Sequence, residues 1–142
     1  MTSRCDATTR TMPGAAVIEL TGEVDGTAAD VLTAAYQAAV TGTDVGVVVL
    51  DFASVVYINS TGIALIVSIL ARARAEGRKV VASGLSAHYR EIFDITRLSD
   101  FIELFPDLDL HRDLGAVLVA VLDRVHRGLG HRGLELVQAA FW

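Results

Sequence analysis

Two adjacent hydroxyls, Ser60 and Thr61, are the groups of this sequence best placed to do chemistry. They stand in the run Ile58-Asn59-Ser60-Thr61-Gly62-Ile63, just ahead of a segment whose apolar residues recur at helical spacing. Side chains of this kind gather where a helix begins. A helix N-terminus presents N–H groups with no partner inside the helix and carries a partial positive charge. A phosphate is stabilised there, so either hydroxyl can carry a phosphoryl group without wrecking the fold. A plain capping role accounts for them as well. Nucleophilic catalysis would also need a base. Asp51 ends the apolar run upstream and could lie nearby, but no histidine belongs to the region, so a Ser-His-Asp arrangement has little behind it. Glu23 and Asp25 offer two further carboxylates, which we read as an acidic loop beside the helix start.

Other chemistries find less support. His88, His111, His126 and His131 have no ligand spacing between them, and there is no cysteine pair. No metal and no cofactor is therefore expected. Cys5 is the single cysteine, which excludes an internal disulfide and fits a reducing cytoplasm. The run Gly128-Leu129-Gly130-His131-Arg132-Gly133 lacks the Gly-Lys-Ser/Thr ending of a phosphate loop and follows no strand. The formal charge of −5, with no basic run, argues against nucleic acid as a direct partner. No apolar run reaches the ~18 residues that span a bilayer. The polar N-terminus has no secretory core, so a cytoplasmic location is expected.

The elements that must position these groups follow from periodicity. Residues 4–11 predict an edge strand, turned by Pro13-Gly14 into a second strand over Ala15–Leu20 that Thr21-Gly22 ends. Thr27 and Asp30 resemble a capping box ahead of a helix over Ala28–Val40. Gly46–Phe52 is a continuous run rich in β-branched residues, the pattern of a strand buried on both faces. A short loop then leads to Asn59. Ile63–Glu76 predicts a helix with Ile63, Ile66, Ile69, Leu70 and Ala73 as its buried stripe and Gly77 at its C-terminal end. Lys79–Ser83 is a third buried strand, Ser86 caps a short helix through Ile95, and Phe101–Phe105 is a last strand. This alternation predicts an α/β fold, a four- to five-stranded mixed sheet with helices packed on one side. Leu114, Val117, Leu118, Val121, Leu122 and Val125 then recur at helical spacing. Residues 1–112 thus form the domain. Residues 113–142 form a helical extension, packed on the domain itself or on a partner, a second copy included.

Two of these runs together resemble the STAS domain of bacterial anti-sigma factor antagonists. Val17-Ile18-Glu19-Leu20-Thr21-Gly22-Glu23-Val24-Asp25 is similar to the family's apolar strand ending in Gly-Glu-x-Asp. Val48-Val49-Leu50-Asp51, followed by Ile58-Asn59-Ser60-Thr61-Gly62-Ile63, is similar to its second motif, which usually ends in Asp-Ser-Ser-Gly or Asp-Ser-Thr-Gly. The resemblance covers roughly residues 8–110. It implies the STAS fold and a binding module rather than an enzyme. It implies that Thr61, the hydroxyl before Gly62, accepts a phosphoryl group from a serine kinase that is also the anti-sigma factor, with Ser60 the runner-up. Glu23, Asp25, Asn59, Ser60, Thr61 and Gly62 would then border the partner, with Gly62 leaving room beside the hydroxyl. Binding of the unphosphorylated form frees a sigma factor in transcription and stress regulation, and a phosphatase resets the switch. Asn59 departs from the usual Asp, keeping its turn chemistry but not its charge. The family also holds accessory or scaffold subunits of transporter and stress-signalling complexes, in which the hydroxyl is not phosphorylated.

Overall fold

The computed structural model describes residues 3–12, 14–41 and 44–105; the expected extension over 113–142 lies outside them. β1 (Cys5–Met12) and β2 (Gly14–Val24) form an antiparallel hairpin. β3 (Val45–Ile58), β4 (Lys79–Ser83) and β5 (Glu103–Phe105) follow in parallel, giving one five-stranded sheet in chain order, β1-β2-β3-β4-β5. Parallel neighbours require crossovers, which α1 (Ala29–Val40), α2 (Ser60–Ala75) and α3 (Ala87–Ile95) supply. The sheet is mixed and the fold α/β, as the alternation predicted.

All three helices share one core. Ala16, Ile18 and Leu20 of β2 and Val48, Leu50 and Phe52 of β3 meet Leu32, Tyr36, Ile66, Leu70 and Phe93 in a single buried cluster. Phe52 and Phe93 pack edge to face, with centroids 6.3 Å apart, the geometry favoured by aromatic quadrupoles. The predicted stripe of α2 faces inward, and Gly77 takes a φ of 76° just past its end, a conformation that costs glycine little.

Two strand ends that matter for the site differ from expectation, and β5 begins at Glu103 rather than at Phe101. β2 continues past Thr21-Gly22 to Val24, and β3 runs to Ile58 through residues expected to be a loop. The two overhangs pair with each other: Thr21 with Ser54, Gly22 with Val55, Glu23 with Tyr57 and Val24 with Ile58. Register shifts between Glu19 and Thr21 and between Gly22 and Glu23 break the alternation there. A strand that bulges loses the period-two signal by which it is recognised.

The far end of the helical layer is locked by a polar group. The Tyr36 hydroxyl, inside the core, donates to Glu76 Oε1 at 2.6 Å. Arg78 bonds the same oxygen at 2.5 Å and donates to the Val45 carbonyl at 3.0 Å, so α1, α2 and the start of β3 are tied together. Tyr36→Phe keeps the packing and removes one buried hydrogen bond. It is expected to lower stability by about 1 kcal/mol, read as a lower urea midpoint with an unchanged slope.

Candidate functional site

Where the overhanging strands end, two side-chain caps stand next to each other. Val24 and Ile58 are paired, so the residues that follow them, Asp25 and Asn59, leave the sheet as neighbours. Both are in extended conformation and both cap what comes next. Asp25 Oδ1 accepts from the Thr27 amide at 2.9 Å and from the Thr27 hydroxyl at 2.5 Å, opening a single 3-10 turn, Gly26–Ala28, ahead of α1. Asn59 Oδ1 accepts from the Gly62 amide at 2.9 Å and opens α2. The Asn59 amide donates to the Val24 carbonyl at 3.2 Å, stitching the two turns together.

This arrangement decides which residue caps α2. It is Asn59, neither Ser60 nor Thr61, and the helix therefore begins at Ser60 rather than at Ile63. Ser60 and Thr61 become the first two residues of the helix, where backbone N–H groups have no helical acceptor. Both side chains are exposed. The Asn59 carboxamide does the capping work of the usual carboxylate, since a single acceptor oxygen suffices.

Gly62 is buried, and the space beside it is filled. A Cβ built there would lie 1.9 Å from the Val24 carbonyl oxygen. The glycine thus lets the first turn of α2 sit directly on the end of β2, which is a different use from leaving room for an incoming group. Gly26 lies on the other side, where a Cβ would meet the Thr61 methyl at 3.3 Å.

The two carboxylates of the upstream motif have different surroundings. Asp25 is 7% exposed, within 3.8 Å of Arg4, and tied to Thr27. The Thr27 hydroxyl and amide, helped by Arg4, hold its carboxyl below the ordinary Asp range. Glu23 stands at the rim, 3.4 Å from the exposed Arg4 guanidinium, a pair worth little in water. Because the folded state lowers the Asp25 pKa, its contribution to stability is complete above the unfolded Asp value of about 3.9 and is lost as pH falls through the folded value. Asp25→Asn keeps an acceptor for Thr27 but does not titrate. The gap in melting temperature between the native chain and this variant should be widest near pH 7 and should close towards pH ~2, in thermal melts across that range.

Asp51 is not part of this cluster. It lies seven positions before Ile58, roughly 20 Å back along the strand; it is buried and accepts from the Ala53 amide at 3.0 Å. The expectation that it could lie beside the hydroxyls as a base is not met, because β3 continues where a reversing loop was expected. Three residues that periodicity did not single out belong here instead. Tyr89 of α3 holds the last residue before the cap, its hydroxyl accepting from the Ile58 amide at 2.9 Å. Val56 and Tyr57 expose apolar surface on the β3 overhang, at 74% and 47%. Chemically, the cluster presents hydroxyls at a helix N-terminus beside an acidic rim. Among the described residues no group of His, Cys, Asp and Glu could hold a metal ion, and no helix is long and apolar enough to cross a membrane.

Comparison with known proteins agrees with this architecture. The family model described as Mlab, STAS domain matches residues 7–106, and the chain belongs to the STAS domain family. An anti-sigma factor antagonist from Mycobacterium paratuberculosis is 25% identical, with 82% of this chain and 93% of that one covered and a TM-score of 0.60. The anti-sigma factor antagonist SpoIIAA in its unphosphorylated form is 18% identical, with 84% and 96% covered, also at 0.60. SpoIIAA of Bacillus in its phosphorylated form is matched at 18% identity, with 84% and 99% covered and a TM-score of 0.58. A sulfate transporter family protein from Wolinella succinogenes is 18% identical, with 66% and 80% covered and a TM-score of 0.56. No curated protein sequence gives a significant match.

Proposed function

We propose that this chain is an anti-sigma factor antagonist, a binding module of the cytoplasm switched by phosphorylation of Thr61, with Ser60 the alternative acceptor. One observation carries the reading. Asn59 takes the capping role, so two exposed hydroxyls stand in the first turn of α2 with no structural duty there. The partner is a serine kinase that is also the anti-sigma factor. Transfer relies on the kinase's metal and basic groups for charge stabilisation; this chain supplies the hydroxyl and holds it still through Asn59, Val24 and Tyr89. It is not itself an enzyme in this reading.

The switch is electrostatic. Phosphate adds about −1.5 to −2 charges near neutral pH. The helix N-terminus accommodates them, so the domain keeps its fold. At a contact that already includes Glu23 and the partner's acidic groups, the same charge repels. Val56 and Tyr57 would supply the apolar anchors of that contact. A phosphatase restores the binding form. The test is the affinity of the unphosphorylated and phosphorylated chains for the cognate serine-kinase anti-sigma factor. Tight binding of the first and at least ~10-fold weaker binding of the second is the expected result; equal affinities refute the switch.

The likeness to a sulfate transporter family protein favours a second reading, an accessory or scaffold subunit of a transporter or stress-signalling complex. There the exposed hydroxyls are contact residues and are never phosphorylated. Co-purification with transporter subunits, and no phosphate under any condition, would select it.

A further inference from the structure

We propose that residues 114–125 form a helix lying across the second face of the sheet, the face turned away from α1, α2 and α3. Strand side chains alternate between faces, and the set facing the helices forms the shared core. The opposite set is apolar across the middle of the sheet. Ala15, Val17, Val47, Val49 and Val81 are each at most 5% exposed, yet none belongs to that core. Val17, Val49 and Val81 stand side by side on the three central strands, with Arg10 of β1 beyond one end and Glu103 of β5 beyond the other. The apolar strip is thus three strands wide. At ~4.8 Å per strand spacing, that is roughly 10 Å between the outer two, about the diameter of one helix.

The chain itself supplies a segment of matching size and character. It leaves the sheet at Phe105, beside Ser83 at the end of β4, and residues 106–142 follow. The eight residues 106–113 reach at most about 26 Å, enough to turn onto the face. Residues 114–122 read Leu-Gly-Ala-Val-Leu-Val-Ala-Val-Leu without a charge, and a helix apolar all round is a buried one. Twelve residues of helix are ~18 Å long, comparable to the strands beneath.

Methyl NMR on the full chain tests this without disturbing the fold. Valine and leucine methyls are labelled, and Val117→Ala and Val121→Ala are used only to assign signals. Cross-peaks from Val17, Val49 or Val81 to Val117 or Val121 are expected. They should be absent from the isotope-filtered spectrum of mixed labelled and unlabelled protein. No cross-peak to residues 114–125 overturns the proposal. Cross-peaks seen only between molecules overturn it as well, and assign the face to a second copy.

Discussion

Thr61→Glu is expected to remain folded and to lose binding to the kinase, while Thr61→Ala is expected to remain folded, bind and resist phosphorylation. Neither variant touches the cap, because Asn59 holds the Gly62 amide. Alanine is a better helix former than threonine, and a carboxylate in the first turn is favoured by the helix dipole. Both variants should therefore unfold within ~0.5 kcal/mol of the native chain, as exposed substitutions usually do. The binding effect is much larger. Like charges brought together in an interface cost several kcal/mol; taking about 2 kcal/mol as the share for one carboxylate gives a ~30-fold rise in Kd. Titration calorimetry against the kinase reads this directly. A Thr61→Glu chain that binds like the native one would show that the hydroxyl lies outside the contact.

Gly62→Ala is expected to have the largest effect on stability. Helix propensity alone favours alanine by up to ~1 kcal/mol. Here, however, the new methyl would stand 1.9 Å from the Val24 carbonyl oxygen, which is backbone and cannot swing aside. The first turn of α2 must lift off the end of β2, breaking the Asn59 amide bond to the same carbonyl. Overpacking of this kind typically costs 1–3 kcal/mol. A net loss of about 2 kcal/mol is expected, a fall in melting temperature of ~5–10 °C. Gly26→Ala is the control. Its methyl would meet only the Thr61 methyl, at 3.3 Å, and should leave the melting temperature within ~2 °C. Equal effects of the two substitutions would mean that the strand end and the helix start are not packed as described.

Most of the sheet was legible in the sequence because its strands are buried on both faces or bounded by strong turns. The Gly46–Phe52 run and Ser86 ahead of α3 each state their structure locally. The start of α2 was legible in place but not in detail. Asn59, Ser60 and Thr61 are all capable of capping, and nothing local ranks three such neighbours; pairing of Val24 with Ile58 fixes Asn59 in extended backbone and so selects it. The β2 and β3 overhangs were hidden by their register shifts. Tyr89 reaches the Ile58 amide across 31 positions of chain, and the fit of Gly62 on Val24 joins two separate motifs. Contacts of that kind arise only once crossovers bring the elements together, so no periodicity encodes them.

The most direct measurement is site-resolved. The chain is incubated with its serine kinase and ATP, digested, and the phosphate located by mass spectrometry of the peptide spanning Asn59 to Arg72. Phosphate on Thr61, and its absence from Thr61→Ala, is the predicted result. Phosphate found only at another residue, or none at all while the kinase still binds, contradicts it.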